Sequence, residues 1–134
     1  MYFFFYGTLL DGDVRRTVLG PLAGRLETES AQLRDWQRVY FAGRVYPVIT
    51  PRAGRAVEGC LLRGVPGSAA SRLRRFEGRE YRLARFEVAT AAGERVTAGA
   101  FVGSGRTAPT ARPWHLEDWQ RYHKAALLRR LRGT

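Results

Sequence analysis

The sequence predicts an α+β fold built on a curled sheet or small barrel, and three observations carry that reading. An aromatic run at residues 1–6 opens the chain and stops at Gly7. Further β-type runs recur between glycines and prolines, and only a few short segments show helical spacing. With 134 residues, 45% of them hydrophobic and 26% charged, the chain has material for one core, one compact domain over residues 1–134, and no case for disorder.

The opening run is too short and too aromatic for a helix, so it reads as a buried strand at the centre of the fold. A turn-forming stretch at 7–13 follows, where Asp11 or Asp13 can cap a short helix over 13–19 that Gly20-Pro21 ends. Residues 22–62 read as short antiparallel β segments punctuated by Gly24, Gly43, Pro47, Pro51, Gly54 and Gly59. Ser68 is placed to cap a second helix with Ala69, Leu73 and Phe76 on one face and Gly78 at its end. Strands at 81–89 and 95–102 form a hairpin across Ala92-Gly93-Glu94. A polar loop over 103–113 then leads to a last helix over 116–131, with Trp119, Tyr122, Ala126 and Leu127 as its apolar face. In such a barrel the interior is the natural ligand site.

Charge narrows the function classes. Lysine and arginine total 23 against 12 acids, a formal net charge of +11, which raises nucleic acid as a partner. Lys124 is the single lysine, however, and the arginines are scattered along the chain, as on a solvated surface, with no clustered stripe interleaved with aromatics. Nucleic-acid binding is therefore the runner-up. Cys60 stands alone, no charged leader opens the chain, and no run approaches the roughly 20 apolar residues of a membrane span. A cytoplasmic protein without a membrane segment is expected. One cysteine with His115 and His123 gives no ligand set for a metal, and neither histidine has a spaced partner for a triad.

Three constellations remain. In Tyr6-Gly7-Thr8-Leu9-Leu10, a glycine after a buried strand lets backbone amides converge on a carboxylate or oxyanion, although an ordinary strand-ending glycine reads the same way. In the stretch from Leu73 to Arg82, an inward Leu73 places Glu77 on the same helical face beside Phe76. Burial there would raise its pKa toward the range of a general acid/base; the plainer reading is a solvated glutamate paired with Arg79 or Arg82. Glu80 lies past the helix-ending glycine and reads as an exposed or arginine-paired charge. In Tyr46-Pro47 the proline holds the tyrosine extended, as a pocket wall or a packed edge residue. Trp114 and Trp119 read as core or helix-docking residues, and Cys60 as a buried, inert thiol.

Taken together, Phe5-Tyr6-Gly7-Thr8-Leu9, Tyr46-Pro47, Val57-Glu58-Gly59 and Phe76-Glu77-Gly78 with Tyr81-Arg82 resemble the gamma-glutamylcyclotransferase-like family in content, order and spacing. The resemblance spans nearly the whole chain. It implies a small closed or nearly closed, mostly antiparallel β-barrel with flanking helices. It also implies an acyltransferase- or lyase-type enzyme that releases 5-oxoproline and a free amine from a small γ-glutamyl amine or peptide. Glu77 would be its acid/base, Tyr6, Gly7, Thr8 and Leu9 the cradle for the glutamyl group, and Tyr46 and Tyr81 the cavity lining. Thr8 stands where the family often has serine, and Arg74 where it often has aspartate. Because the substrate's own amine attacks, no nucleophile, metal or organic cofactor is called for. A barrel that keeps the pocket and binds a γ-glutamyl ligand without turnover is the third reading. Oligomeric state and the identity of the released amine are left open by the sequence.

Overall fold

The first strand, β1 (Phe3–Phe5), is buried on both faces and sits between two partners. It pairs antiparallel with β3 (Pro47–Leu62), Phe3 opposite Leu62, and parallel with β5 (Arg95–Gly103), Phe3 opposite Gly99. The structure, a computed structural model, describes residues 1–105 and 108–133. β4 (Tyr81–Thr90) joins β5 in the expected hairpin, and β2 (Thr28–Phe41) touches both β4 and β3. The order β3-β1-β5-β4-β2 is thus closed by the β2–β3 pairing into a small barrel, mixed only at the β1–β5 contact.

Alternation along β1 divides the core. Phe4 points into the barrel with Leu33, Val57, Leu61, Val88 and Val96, which fill its bore. Phe3 and Phe5 point outward beneath the helices, in one cluster with Leu9, Leu73, Trp114 and Trp119, and Phe3 stacks on both Phe5 and Phe101. The helices are α1 (Gly12–Leu19), α2 (Gly67–Glu77), α3 (Leu116–Tyr122) and α4 (Lys124–Leu131). No helix among the described residues is long and apolar enough to cross a membrane.

Several elements differ from the sequence reading. The stretch at 22–62 is not a series of short segments: residues Gly20–Arg25 form a 3-10 helix, and the rest is one long hairpin of β2 and β3 joined at residues 42–46. Pro47 is tolerated because it begins a strand. Pro51 and Gly54 are absorbed by a break in register at Asp35, whose φ is 68° and whose Oδ1 accepts from the Gly54 amide at 3.0 Å.

α2 begins at Gly67 behind Pro66, with no side-chain cap from Ser68. Asp11 does cap α1, its Oδ1 accepting from the amides of Asp13 at 2.9 Å and Val14 at 3.1 Å. The polar loop contains an edge strand, β6 (Pro109–Pro113), on β2; prolines suit an edge, where one side of the backbone needs no partner. Residues 106 and 107 of that loop lie outside the described residues. The last helix is broken at His123 (φ −130°, ψ −17°) into α3 and α4. Trp119 is buried as expected, but Tyr122 is 68% exposed and Leu128 takes the core position.

Candidate active site

A cavity of about 560 Å³ opens where the end of β1 meets the end of α2 and one side of α4, beside the filled bore of the barrel. All seven residues singled out from the sequence line it: Tyr6, Gly7, Thr8, Leu9, Tyr46, Glu77 and Tyr81. Its size is that of a small-molecule site.

Glu77 is the last residue of α2. Leu73, one turn earlier, is fully buried against the barrel and brings the same helical face inward. Neither Arg79 nor Arg82 pairs with it, and among the described residues nothing hydrogen-bonds the Glu77 carboxylate. Burial pushes its pKa from 4.5 up to about 8. The carboxyl end of the helix dipole acts in the same direction.

Across the same cavity the chain leaves β1 through Gly7 into a 3-10 turn over Thr8–Leu10. The amides of Leu10 and Asp11 close that turn on the Gly7 and Thr8 carbonyls. Those of Gly7, Thr8 and Leu9 have no acceptor among the described residues. A Cβ at Gly7 would lie 3.2 Å from the Pro47 ring, a tight contact that would press on the cavity wall.

Arg38 on β2 fixes the orientation of this turn. Its Nη1 donates to the Tyr6 carbonyl at 2.9 Å and to the Glu58 carbonyl at 3.4 Å, its Nε donates to the Trp114 carbonyl at 3.2 Å, and the guanidinium lies over the Trp114 ring. A trans peptide points its N–H opposite to its C=O. Anchoring the Tyr6 oxygen toward Arg38 therefore turns the Gly7 N–H the other way.

Phenols make the rest of the wall. The Tyr6 hydroxyl donates to the Phe101 carbonyl at 2.5 Å, and the Tyr81 hydroxyl to the Pro47 carbonyl at 2.6 Å. Burial, and secondarily nearby acidic groups that include Glu77, push both phenols well above their ordinary range, so they stay protonated. Tyr46 sits just before β3, edge-on to Phe41 and tilted on Tyr81, and donates its hydroxyl to Glu80. Arg44 Nε donates to the other Glu80 oxygen at 3.1 Å, so this second acid of the cavity is already neutralised.

Sequence reasoning did not find Arg38, whose partners are main-chain oxygens far apart in the chain and leave no side-chain pattern. It missed the α4 side of the cavity as well. Trp119 and His123 line it, so Trp119 serves both the core and the cavity. Trp114 is buried with its indole N–H donating to the Val45 carbonyl at 2.9 Å, which ties down the β2–β3 turn.

Comparison with known proteins agrees with this architecture. The profile of the family described as "Gamma-glutamyl cyclotransferase, AIG2-like" matches residues 3–121. AIG2-like protein D of Arabidopsis thaliana is 30% identical over 129 residues, 94% of this chain and 83% of that protein. A solution structure of an Arabidopsis thaliana protein superimposes with a TM-score of 0.71 at 28% identity, covering 96% of this chain and 86% of the other. A solved gamma-glutamyl cyclotransferase shares the fold with a TM-score of 0.67 at 16% identity, covering 99% and 86%. The order of strands, the Tyr-Gly-Thr-Leu turn and the helix ending in Glu77 thus occur in a chain that belongs to the gamma-glutamyl cyclotransferase, AIG2-like family.

Proposed function

We propose that this protein converts a γ-glutamyl amine or γ-glutamyl peptide into 5-oxoproline and a free amine. The observation that carries the reading is a carboxyl, Glu77, with a pKa of about 8 and no partner among the described residues, in one cavity with the amides of Gly7, Thr8 and Leu9, which have no acceptor there either. Such a pair suits a reaction that moves a proton and develops charge on oxygen, yet needs no enzymic nucleophile.

Ionised Glu77 takes a proton from the substrate's α-ammonium. The freed amine attacks the γ-carbonyl carbon, forming the ring C–N bond, and the oxyanion that develops accepts hydrogen bonds from the turn amides. As the carbonyl re-forms, the bond to the departing nitrogen breaks and Glu77 returns the proton to that nitrogen; Glu77 then takes the second proton from the ring nitrogen and hands it to the freed amine, which leaves as an ammonium ion, so charge and protons balance. Tyr6, Tyr46 and Tyr81 wall the site and fold the glutamyl tail toward itself. Incubation of the purified protein with γ-glutamyl amines, γ-glutamyl amino acids and glutathione, with 5-oxoproline as readout, tests the reading. No product from any of them, or full activity in a folded Glu77→Gln variant, would overturn it.

A further inference from the structure

The cavity is larger than the group that reacts. A γ-glutamyl group has about nine non-hydrogen atoms, which even at the roughly 30 Å³ that a whole water molecule takes up in the liquid would fill no more than about half of the 560 Å³ available. The remaining wall has a different chemistry. His123, Ala126, Leu127 and Arg130 line the cavity at the i, i+3, i+4, i+7 spacing of one helical side, so α4 lies along it. Trp119 and Phe76 extend this wall, and its apolar stretch ends on the Arg130 guanidinium.

Arg130 is the one arginine in the lining, and among the described residues its side chain has no ion pair or hydrogen bond. Of the two acids in the lining, Glu80 is held by Arg44 and Tyr46, and Glu77 has no cation bound to it. Among the described residues the guanidinium is left without an anion, on the cavity wall that α4 forms. A planar fork of N–H donors fits a carboxylate on two bonds.

We infer that α4 forms the leaving-group half of the site and that Arg130 selects γ-glutamyl substrates whose departing amine carries a carboxylate on a short aliphatic stem. This rests on the cyclotransferase reading and narrows it to a substrate class. The stem lies on Ala126 and Leu127, and the carboxylate meets Arg130. Because Arg130 is exposed on its outer side, the preference weakens as salt rises.

The test compares matched pairs, γ-glutamyl-alanine with γ-glutamyl-alaninamide and γ-glutamyl-γ-aminobutyrate with its carboxamide, using the full chain. The acid of at least one pair is expected to exceed its amide by about tenfold in kcat/KM, through KM, the scale of one charge-assisted hydrogen bond. Arg130→Gln removes that preference and Arg130→Lys keeps part of it. Equal rates for acid and amide in both pairs, or an Arg130→Gln loss that falls equally on the two, would overturn the inference. Should the wild-type protein make no 5-oxoproline, the cyclotransferase reading fails on its own. The same pairs are then titrated by calorimetry, where an Arg130-dependent preference for the acid upholds the role of Arg130 and equal affinity removes it.

Discussion

Lys124 Nζ stands 2.8 Å from Asp11 Oδ2, so the start of α1 is tied to α4 across more than a hundred residues of sequence. Asp11 is 2% exposed, and its oxygens also receive the amides of Asp13 and Val14 and the Gln120 side chain. Asp13 receives the same lysine at 2.7 Å. The pair matters to the site because α4 is its outer wall.

Burial alone would raise the Asp11 pKa, but the bonds from Lys124, Gln120 and Val14 outweigh it and hold the carboxyl below its ordinary value. The stability this contributes is therefore full above the unfolded carboxylate range and lost as pH falls through the depressed native value. Asp11→Ala should cost about 1–2 kcal/mol at neutral pH, from the lost cap, since Lys124 keeps Asp13 as a partner. Chemical denaturation at neutral and acid pH checks both the size and the sign.

Glu77 behaves oppositely. Its pKa is about 8 in the fold against 4.5 for an ordinary glutamate, so its contribution to stability is full below about pH 4.5 and lost as pH rises through 8. Wild-type protein should lose stability across that window, and Glu77→Gln should not; a denaturation series at several pH values reads the difference. In turnover, kcat/KM should fall below about pH 8 as the base is protonated, and Glu77→Gln should lose roughly 10²–10⁴-fold.

Arg38→Met removes the donor that orients the Tyr6–Gly7 peptide. We expect a stability cost of about 1–3 kcal/mol from the carbonyls left without it. Turnover should fall by about tenfold or more at temperatures where the variant is fully folded. A variant that is less stable yet fully active would show that Arg38 only braces the barrel.

Gly59→Ala tests the tightest contact in the sheet. A Cβ there would lie 2.3 Å from the Phe5 carbonyl oxygen and 2.5 Å from the Phe4 ring, and a backbone atom cannot move aside as a flexible side chain would. A loss of about 2–3 kcal/mol in urea denaturation is expected. Gly24→Ala, with nothing within 4 Å of the added methyl, is the control and should change stability by less than about 1 kcal/mol.

What could be read without coordinates follows the range of the signal. β1, the β4–β5 hairpin and the inward face of α2 are written in local periodicity, and the Asp11 cap in a single residue two positions before the amide that donates to it. Glu77 was legible because Leu73 and Phe76 fix which way its helix faces. The β2–β3 hairpin was not, since Pro51 and Gly54 signal ends of strands, and only the bend at Asp35 on the opposite strand turns them into an interruption. β6 hides for a related reason: its flanking prolines read as loop, while the edge of β2 accepts them. The Arg38 clamp and the Arg130 wall depend on residues brought together only by closure of the barrel and by the break at His123.

The parallel contact between β1 and β5 sets an order of events during synthesis. Phe3 needs Leu62 on one side and Gly99 on the other, so the nascent chain must carry its aromatic start unsatisfied until most of the domain has left the ribosome. Three consecutive phenylalanines are unburied for that interval, which is when the chain is most open to aggregation.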